Sequence, residues 1–262
     1  MLTGKLVWVD WQRNGNHSHE MKYGVIDLGT NTFKSLIAEV KNDGTIVQVD
    51  KKELPVKLGE GGINQKTITP EASVRGIQAV EELLAFSKEH RVEKNIAFAT
   101  SGFRNAGNGK AFIEDITNKT GLAIQVITGD QEAEMTYRGV RQAVDLPQKP
   151  VLILDIGGGS NEFILADHRK MYWKKSVDLG IARLLERFKP SDHIRKEEIQ
   201  NVNSFLETEL ESIYKEINRY EPETLIGCAG TFATYRSIME ARKEYEKQQS
   251  LSEREPSFEI TM

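Results

Sequence analysis

Two short stretches of this sequence carry the residue types that phosphate chemistry requires, in the same order. Val151–Leu154 is apolar enough for a buried strand, Asp155-Ile156 leads into Gly157-Gly158-Gly159-Ser160, and the chain returns as a second strand through Glu162 to Leu165. Three successive glycines leave one face of a tight turn without Cβ atoms, so several backbone N–H groups can converge on a bound anion. Asp155 enters this turn and Glu162 leaves it. Carboxylates beside a phosphate cradle repel the ligand unless a hard cation lies between them, and Mg²⁺ shares one or two carboxylates with phosphate oxygens and waters in this way. A glycine-rich hairpin with ordinary polar rims is the alternative for one copy taken alone.

The second copy lies near the start of the chain. Tyr23 to Phe33 repeats apolar strand, Asp27, Leu28, Gly29, the small polar residues Thr30, Asn31 and Thr32, and a return strand, with Asp27 and Asp155 separated by 128 positions. The repeat predicts two related α/β domains, each offering a phosphate-binding turn to a shared cleft. Residues 1–20 read as an extension, 21–143 as the first domain and 144–262 as the second.

Other chemistry-bearing residues fall where strands deliver their ends. A strand over Asn95–Thr100 leads to Ser101-Gly102-Phe103-Arg104, where Arg104 is placed to clamp phosphate bidentately or else to lie on the surface before a helix capped by Asn108. A strand over Ala123–Thr128 precedes Gly129-Asp130-Gln131-Glu132. Glu132, in the first turn of the next helix, is held ionised by the positive helix end and is a candidate base for a water molecule. A dipole-favoured acid without catalytic duty is the alternative. Thr224–Thr231 is a strand meeting a helix across two glycines, a setting that favours approach of phosphate or nucleotide, with a close-packed glycine turn without ligand as the alternative.

The remaining elements read as scaffold. Thr69-Pro70-Glu71 starts a helix running to about His90, with Ile77, Val80, Leu83 and Leu84 inward. Val56 to Gly62 is a loop, either plain or forming an edge of the cleft, residues 141–150 a hinge-like connection, and Ser191–Tyr220 one long amphipathic helix. In the extension, His17, His19 and Glu20 form a possible ligand set or a solvated tail.

With 39% hydrophobic residues, 28% charged residues and net charge −4, the chain has enough apolar material for two cores and no global attraction for nucleic acid or membrane. Cys228 stands alone, which excludes an intramolecular disulfide and suits a reducing cytoplasm. No stretch approaches the roughly 20 apolar residues of a membrane span.

Asp27–Thr32, Thr100–Arg104, Gly129–Ala133, Asp155–Ser160 and Gly227–Thr231 stand in the order found in the exopolyphosphatase / guanosine pentaphosphate phosphohydrolase family, which the chain resembles from about residue 22 to 240. The resemblance implies an actin-like, ribonuclease-H-like two-domain fold and Mg²⁺-dependent hydrolysis of phosphoanhydride bonds in polyphosphate or guanosine pentaphosphate. By position it implies Glu132 as activator of the attacking water and Arg104 as phosphate clamp. It also implies Asp155, Glu162 and Asp27 as metal-side acids, and Thr30, Asn31, Gly157, Gly158, Gly159, Ser160, Gly230 and Thr231 as phosphate contacts. A homodimer is compatible with it. Gln131, Gly102, Asn161 and Lys57 depart from the residues common in the family, which bears on substrate preference. The family's second domain normally continues with a late Arg-x-Asp segment, so the second domain is expected to be incomplete. Two other readings compete: an ATP-using kinase of the same superclass, against which the Glu132 motif speaks, and a sensor that binds polyphosphate or an alarmone nucleotide without turnover.

Overall fold

The computed structural model describes residues 21–252, with side chains described to residue 246. The His17, His19 and Glu20 set and residues 253–262 lie outside the described residues. The two expected hairpins form. Strands β1 (Met21–Leu28) and β2 (Thr32–Val40) pair antiparallel, as do β6 (Val151–Ile156) and β7 (Asn161–Ala166). Register shows how close the repeat is: Leu28 faces Phe33 across one turn and Ile156 faces Asn161 across the other, enclosing loops of equal length.

Each hairpin gains a third antiparallel strand, β3 (Ile46–Pro55) or β8 (Met171–Val177), and a parallel neighbour, β4 (Lys94–Ala99) or β9 (Thr224–Cys228). The first sheet runs β3-β2-β1-β4-β5, with β5 at Ile124–Val126, and the second runs β8-β7-β6-β9. Two sheets of matching order, each with parallel crossovers through helices, give the duplicated α/β actin-like architecture.

Helix α1 (Pro70–Glu89) starts as its sequence dictates: Thr69 Oγ1 accepts from Ala72 N at 3.2 Å, and Pro70 occupies the first turn, where its missing N–H costs nothing. Its face of Ala72, Ala79, Val80 and Leu83 closes the first core over Ile26, Leu28 and Ala97, each fully buried aliphatic side chain contributing about 1.5–3 kcal/mol. The short α2 (Ser101–Arg104) and α3 (Gly109–Thr120) follow. Asn108 stands at the N-cap of α3 but makes no side-chain capping bond. Its amide instead brackets Ile68, accepting from the Ile68 N–H at 2.9 Å and donating to the Ile68 carbonyl at 2.8 Å, which fastens loop 56–68 to the first domain.

Helix α4 (Gly129–Ala143) precedes position 144, yet Ala133, Tyr137 and Val140 belong to the second core, with Val151, Ile153, Ile164 and Ala166. The expected single helix over Ser191–Tyr220 is two, α6 (Lys196–Glu209) and α7 (Glu211–Tyr220). The break falls at Leu210 (φ −94°, ψ 3°), and Ile213 in the first turn of α7 is buried to 1% exposure. Helices α5 (Ile181–Phe188) and α8 (Ala229–Ser252) complete the described chain, and no described helix is long and apolar enough to cross a membrane.

The β7–β8 turn offers a local acid-stability test. Asp167 accepts from Tyr172 Oη at 2.6 Å and from the N–H groups of Arg169 and Lys170 at 2.7 and 2.9 Å. These bonds, Tyr172 first, favour the ionised form and lower the pKa from 3.8 to about 2. The stability they bring is present above the unfolded value and is lost as the pH falls through the folded one. Asp167→Asn therefore lowers the thermal midpoint at pH 7, and the gap to the parent chain narrows in melts run from pH 4 downward.

Candidate active site

Both turns open into one cleft of about 770 Å³, lined among others by Asp27, Thr30, Asn31, Glu132, Asp155, Gly157, Gly158, Gly159, Ser160, Glu162, Gly230 and Thr231. The turns touch each other: a Cβ on Gly159 would fall 2.4 Å from Thr30 Oγ1, inside any permitted contact. Gly180, at the N-cap of α5, is packed harder still, since a Cβ there would stand 2.4 Å from the carbonyl carbon and oxygen of Gly158 and from the nitrogen of Gly159. Backbone cannot swing aside as a side-chain tip does. Gly180→Ala should therefore displace the second turn and lower any phosphate-dependent turnover by about tenfold or more. Circular dichroism should stay near that of the parent; unchanged turnover would contradict the placement.

The acids come from four elements. Asp27 ends β1 and faces Lys34 across the first hairpin, whereas Asp155 ends β6 and faces Glu162 across the second. Glu162 is 1% exposed and accepts from Ser176 Oγ at 2.7 Å. Burial first, then the neighbouring charge of Glu132, pushes its pKa up to about 8, against the Ser176 bond. Glu132 is raised to about 7, chiefly by burial and with help from Asp27 and Asp155, although Arg104 opposes. The tendency of the helix end to keep Glu132 ionised is thus outweighed by desolvation, to which Asp27 and Asp155 add. Asp155 is raised by burial, with Lys34 opposing. Asp27 moves towards about 6, by crowding against protein and least by Asp155, but its side chain is open to cleft water, which tempers the shift.

Arg104 does not line the cleft. Its Nη1 donates to the Ile127 carbonyl at 2.8 Å and to Glu132 Oε2 at 3.1 Å, so as placed it orients the carboxylate rather than reaching for a ligand. Gly230 and Thr231 reach the cleft from the start of α8, with Thr231 Oγ1 bonded to the Ile156 carbonyl at 3.0 Å. Lys57 lines it as well, in a left-handed backbone conformation (φ 49°) pinned by its N–H to the Asn31 carbonyl. Lys34, Thr100 and Ser101 were not singled out by sequence reasoning and also line it. For Lys34 the signal was available, because a hairpin that presents Asp27 must present its cross-strand partner on the same face.

The lining is more acidic than a polyanion site would be by itself: Lys34 and Lys57 are its cations, against Asp27, Glu60, Glu132, Asp155, Glu162 and Glu186. Oxygen donors of this kind fit a hard divalent cation. Among the described residues no three acidic, histidine or cysteine side chains stand together as a ready-made cage. Asp27, Asp155 and Glu162 therefore do not converge on one point, and an ion here would take protein oxygens one or two at a time, which is how Mg²⁺ shares its shell with phosphate and water.

A family model described as the Ppx/GppA phosphatase family matches residues 36–261. The chain belongs to the Ppx/GppA phosphatase family. Among curated proteins, it is 32% identical over 235 residues to a bifunctional 3-dehydroquinate synthase/phosphatase of Fusobacterium nucleatum, covering 85% of this chain but 35% of that one. It is 29% identical over 233 residues to exopolyphosphatase 2 of Mycobacterium tuberculosis, covering 86% and 73% of the two chains. Among solved structures, an exopolyphosphatase from Cytophaga hutchinsonii superposes with a TM-score of 0.80 at 37% identity, over 85% of this chain and 72% of that one. A Ppx/GppA family member from Aquifex aeolicus gives 0.62 at 29%, over 80% and 67%. The fold of this chain is that of the Ppx/GppA family.

Proposed function

We propose that this chain hydrolyses terminal phosphoanhydride bonds of inorganic polyphosphate or of guanosine pentaphosphate, with Glu132 activating the attacking water. The observation that carries the reading is the position of Glu132: a carboxylate with a pKa raised to about 7, oriented by Arg104, in the cleft onto which both anion turns open. Phosphoryl transfer to water is mainly alignment and neutralisation of charge. The Gly157–Ser160 turn and the Thr30–Asn31 turn supply N–H and hydroxyl donors to the terminal phosphate, and Lys34 and Lys57 offset part of its charge. Ionised Glu132 takes a proton from the water as its oxygen attacks phosphorus, and the shortened chain or nucleotide leaves on the opposite side. Asp155, with Asp27 or Glu162, would hold a divalent cation such as Mg²⁺, which when bound neutralises phosphate oxygens.

Support for the substrate class comes from family membership and from the exopolyphosphatases of M. tuberculosis and C. hutchinsonii among the similar proteins. A cytoplasmic setting is part of the proposal, since the single cysteine suits a reducing compartment. The test is phosphate release by the purified chain with Mg²⁺, offered short polyphosphate and guanosine pentaphosphate in parallel. Release from one and not the other chooses the substrate. Binding of either ligand without release would replace this reading by that of a sensor.

A further inference from the structure

We propose that Arg183 is a positioning residue that aims the second phosphate turn and ties that aim to the first domain; the inference rests on the turn being an anion site, as proposed above. All three glycine carbonyls of the turn are fastened to α5. The N–H groups of Ile181 and Ala182 donate to the carbonyls of Gly157 and Gly158 at 3.0 and 2.8 Å, and Arg183 Nε donates to that of Gly159 at 2.7 Å. In a trans peptide the carbonyl and the following N–H point in opposite directions. Holding these three carbonyls therefore fixes the N–H groups of Gly158, Gly159 and Ser160 in the opposite directions, within a turn that lines the cleft. Two of the three holds are helix backbone. The third depends on one side chain.

That side chain also bridges the domains. Arg183 is 11% exposed, and its Nη1 donates to the Ile63 carbonyl in loop 56–68 at 3.3 Å. Its Nη2 lies 3.7 Å from Asp178, whose carboxylate accepts from Asn105 of the first domain at 2.7 Å. The Arg183 carbonyl accepts from Asn64 Nδ2 at 3.2 Å, and Glu186, one turn on, accepts from the Ile63 N–H at 3.2 Å. The Arg183 guanidinium does not line the cleft, and its desolvation lowers its pKa. Loop 56–68 is in turn bonded to the first phosphate turn, through Lys57 N to the Asn31 carbonyl at 2.8 Å and Gly59 N to the Thr30 carbonyl at 3.2 Å. Arg183 is thus the joint through which one turn is set relative to the other.

The test measures binding of tripolyphosphate with Mg²⁺ by calorimetry in a Glu132→Gln background, where the ligand is not consumed, so that its result is separate from whether the chain hydrolyses anything. Arg183→Met should weaken binding by about tenfold or more. Arg183→Lys, which keeps a cationic donor at a single nitrogen but cannot span both carbonyls, should recover part of the loss. Asn64→Ala, which loosens the bridge without touching the turn, should weaken binding by about threefold. Ile213→Ala, a core change in α7, calibrates general loosening. Binding by Arg183→Met equal to that of its background, or a loss matched by Ile213→Ala at similar thermal midpoint, overturns the inference. So does failure of the background chain to bind tripolyphosphate. If Arg183→Met does not fold, the lysine and Asn64 variants decide: affinity unchanged in both overturns it, and graded loss supports it.

Discussion

Glu132→Gln should reduce phosphate release by about three orders of magnitude while leaving the fold intact, because a positioned base contributes roughly 10²–10⁴-fold and an amide cannot accept the proton from water. Glutamine preserves the oxygen that Arg104 Nη1 holds at 3.1 Å, so the change removes basicity and keeps the scaffold. The pH profile supplies an independent readout. With its pKa raised to about 7, Glu132 is largely protonated at pH 6 and ionised at pH 8. Release at low substrate concentration should therefore climb across this interval and fall about tenfold per unit well below it. A variant with a tenth or more of parental activity, or a flat profile from pH 6 to 8, would remove Glu132 from the base role.

Glu162→Gln should make the metal-free chain more heat-stable at pH 8 and barely change it at pH 5. The folded chain retains the Glu162 proton up to about pH 8, whereas an unperturbed glutamate releases it near 4.5. Between those values the folded state binds more protons than the unfolded one, so stability is fully present below the unfolded value and declines as the pH rises. Glutamine keeps the acceptor for Ser176 and introduces no charge to be desolvated. The gain at pH 8 is on the order of 1–3 kcal/mol, or several degrees in Tm for a chain of this size. Mg²⁺ should act on the parent in the same direction, raising Tm more at pH 8 than at pH 5 because only ionised carboxylates bind it well. Differential scanning calorimetry at the two pH values checks both statements. A variant less stable than the parent at pH 8 would show that the carboxylate is held by something favourable instead.

Much of this site was legible in the sequence because its parts are local. A strand, an Asp, a glycine turn and a return strand fix their own geometry within a dozen residues, and the repeat of that unit implied a shared cleft before any tertiary contact was known. The Thr69–Pro70 start of α1 was readable for the same reason. What stayed hidden depended on partners distant in sequence. Arg104 meets Glu132 only after the crossover through α3 and β5, Asn108 is drawn from its helix end to Ile68 across forty positions, and Arg183 is claimed by Gly159 and Ile63 rather than by solvent in the cleft. The pKa of Glu132 could not be read from its helix position either, since burial and two carboxylates from other strands decide its direction.

Helix α4 has a consequence for how the molecule holds together as a folding unit. It is the last element before the connection at residues 144–150, and Glu132 at its start is bonded to Arg104 of the first domain, yet its apolar stripe is embedded among Val151, Ile153, Ile164 and Ala166. Severing the chain at that connection would strip the second half of Ala133, Tyr137 and Val140 and leave the first half with an uncovered amphipathic helix. The halves are therefore mortised together, and Glu132 sits on the tenon: melting of either half should draw the other with it.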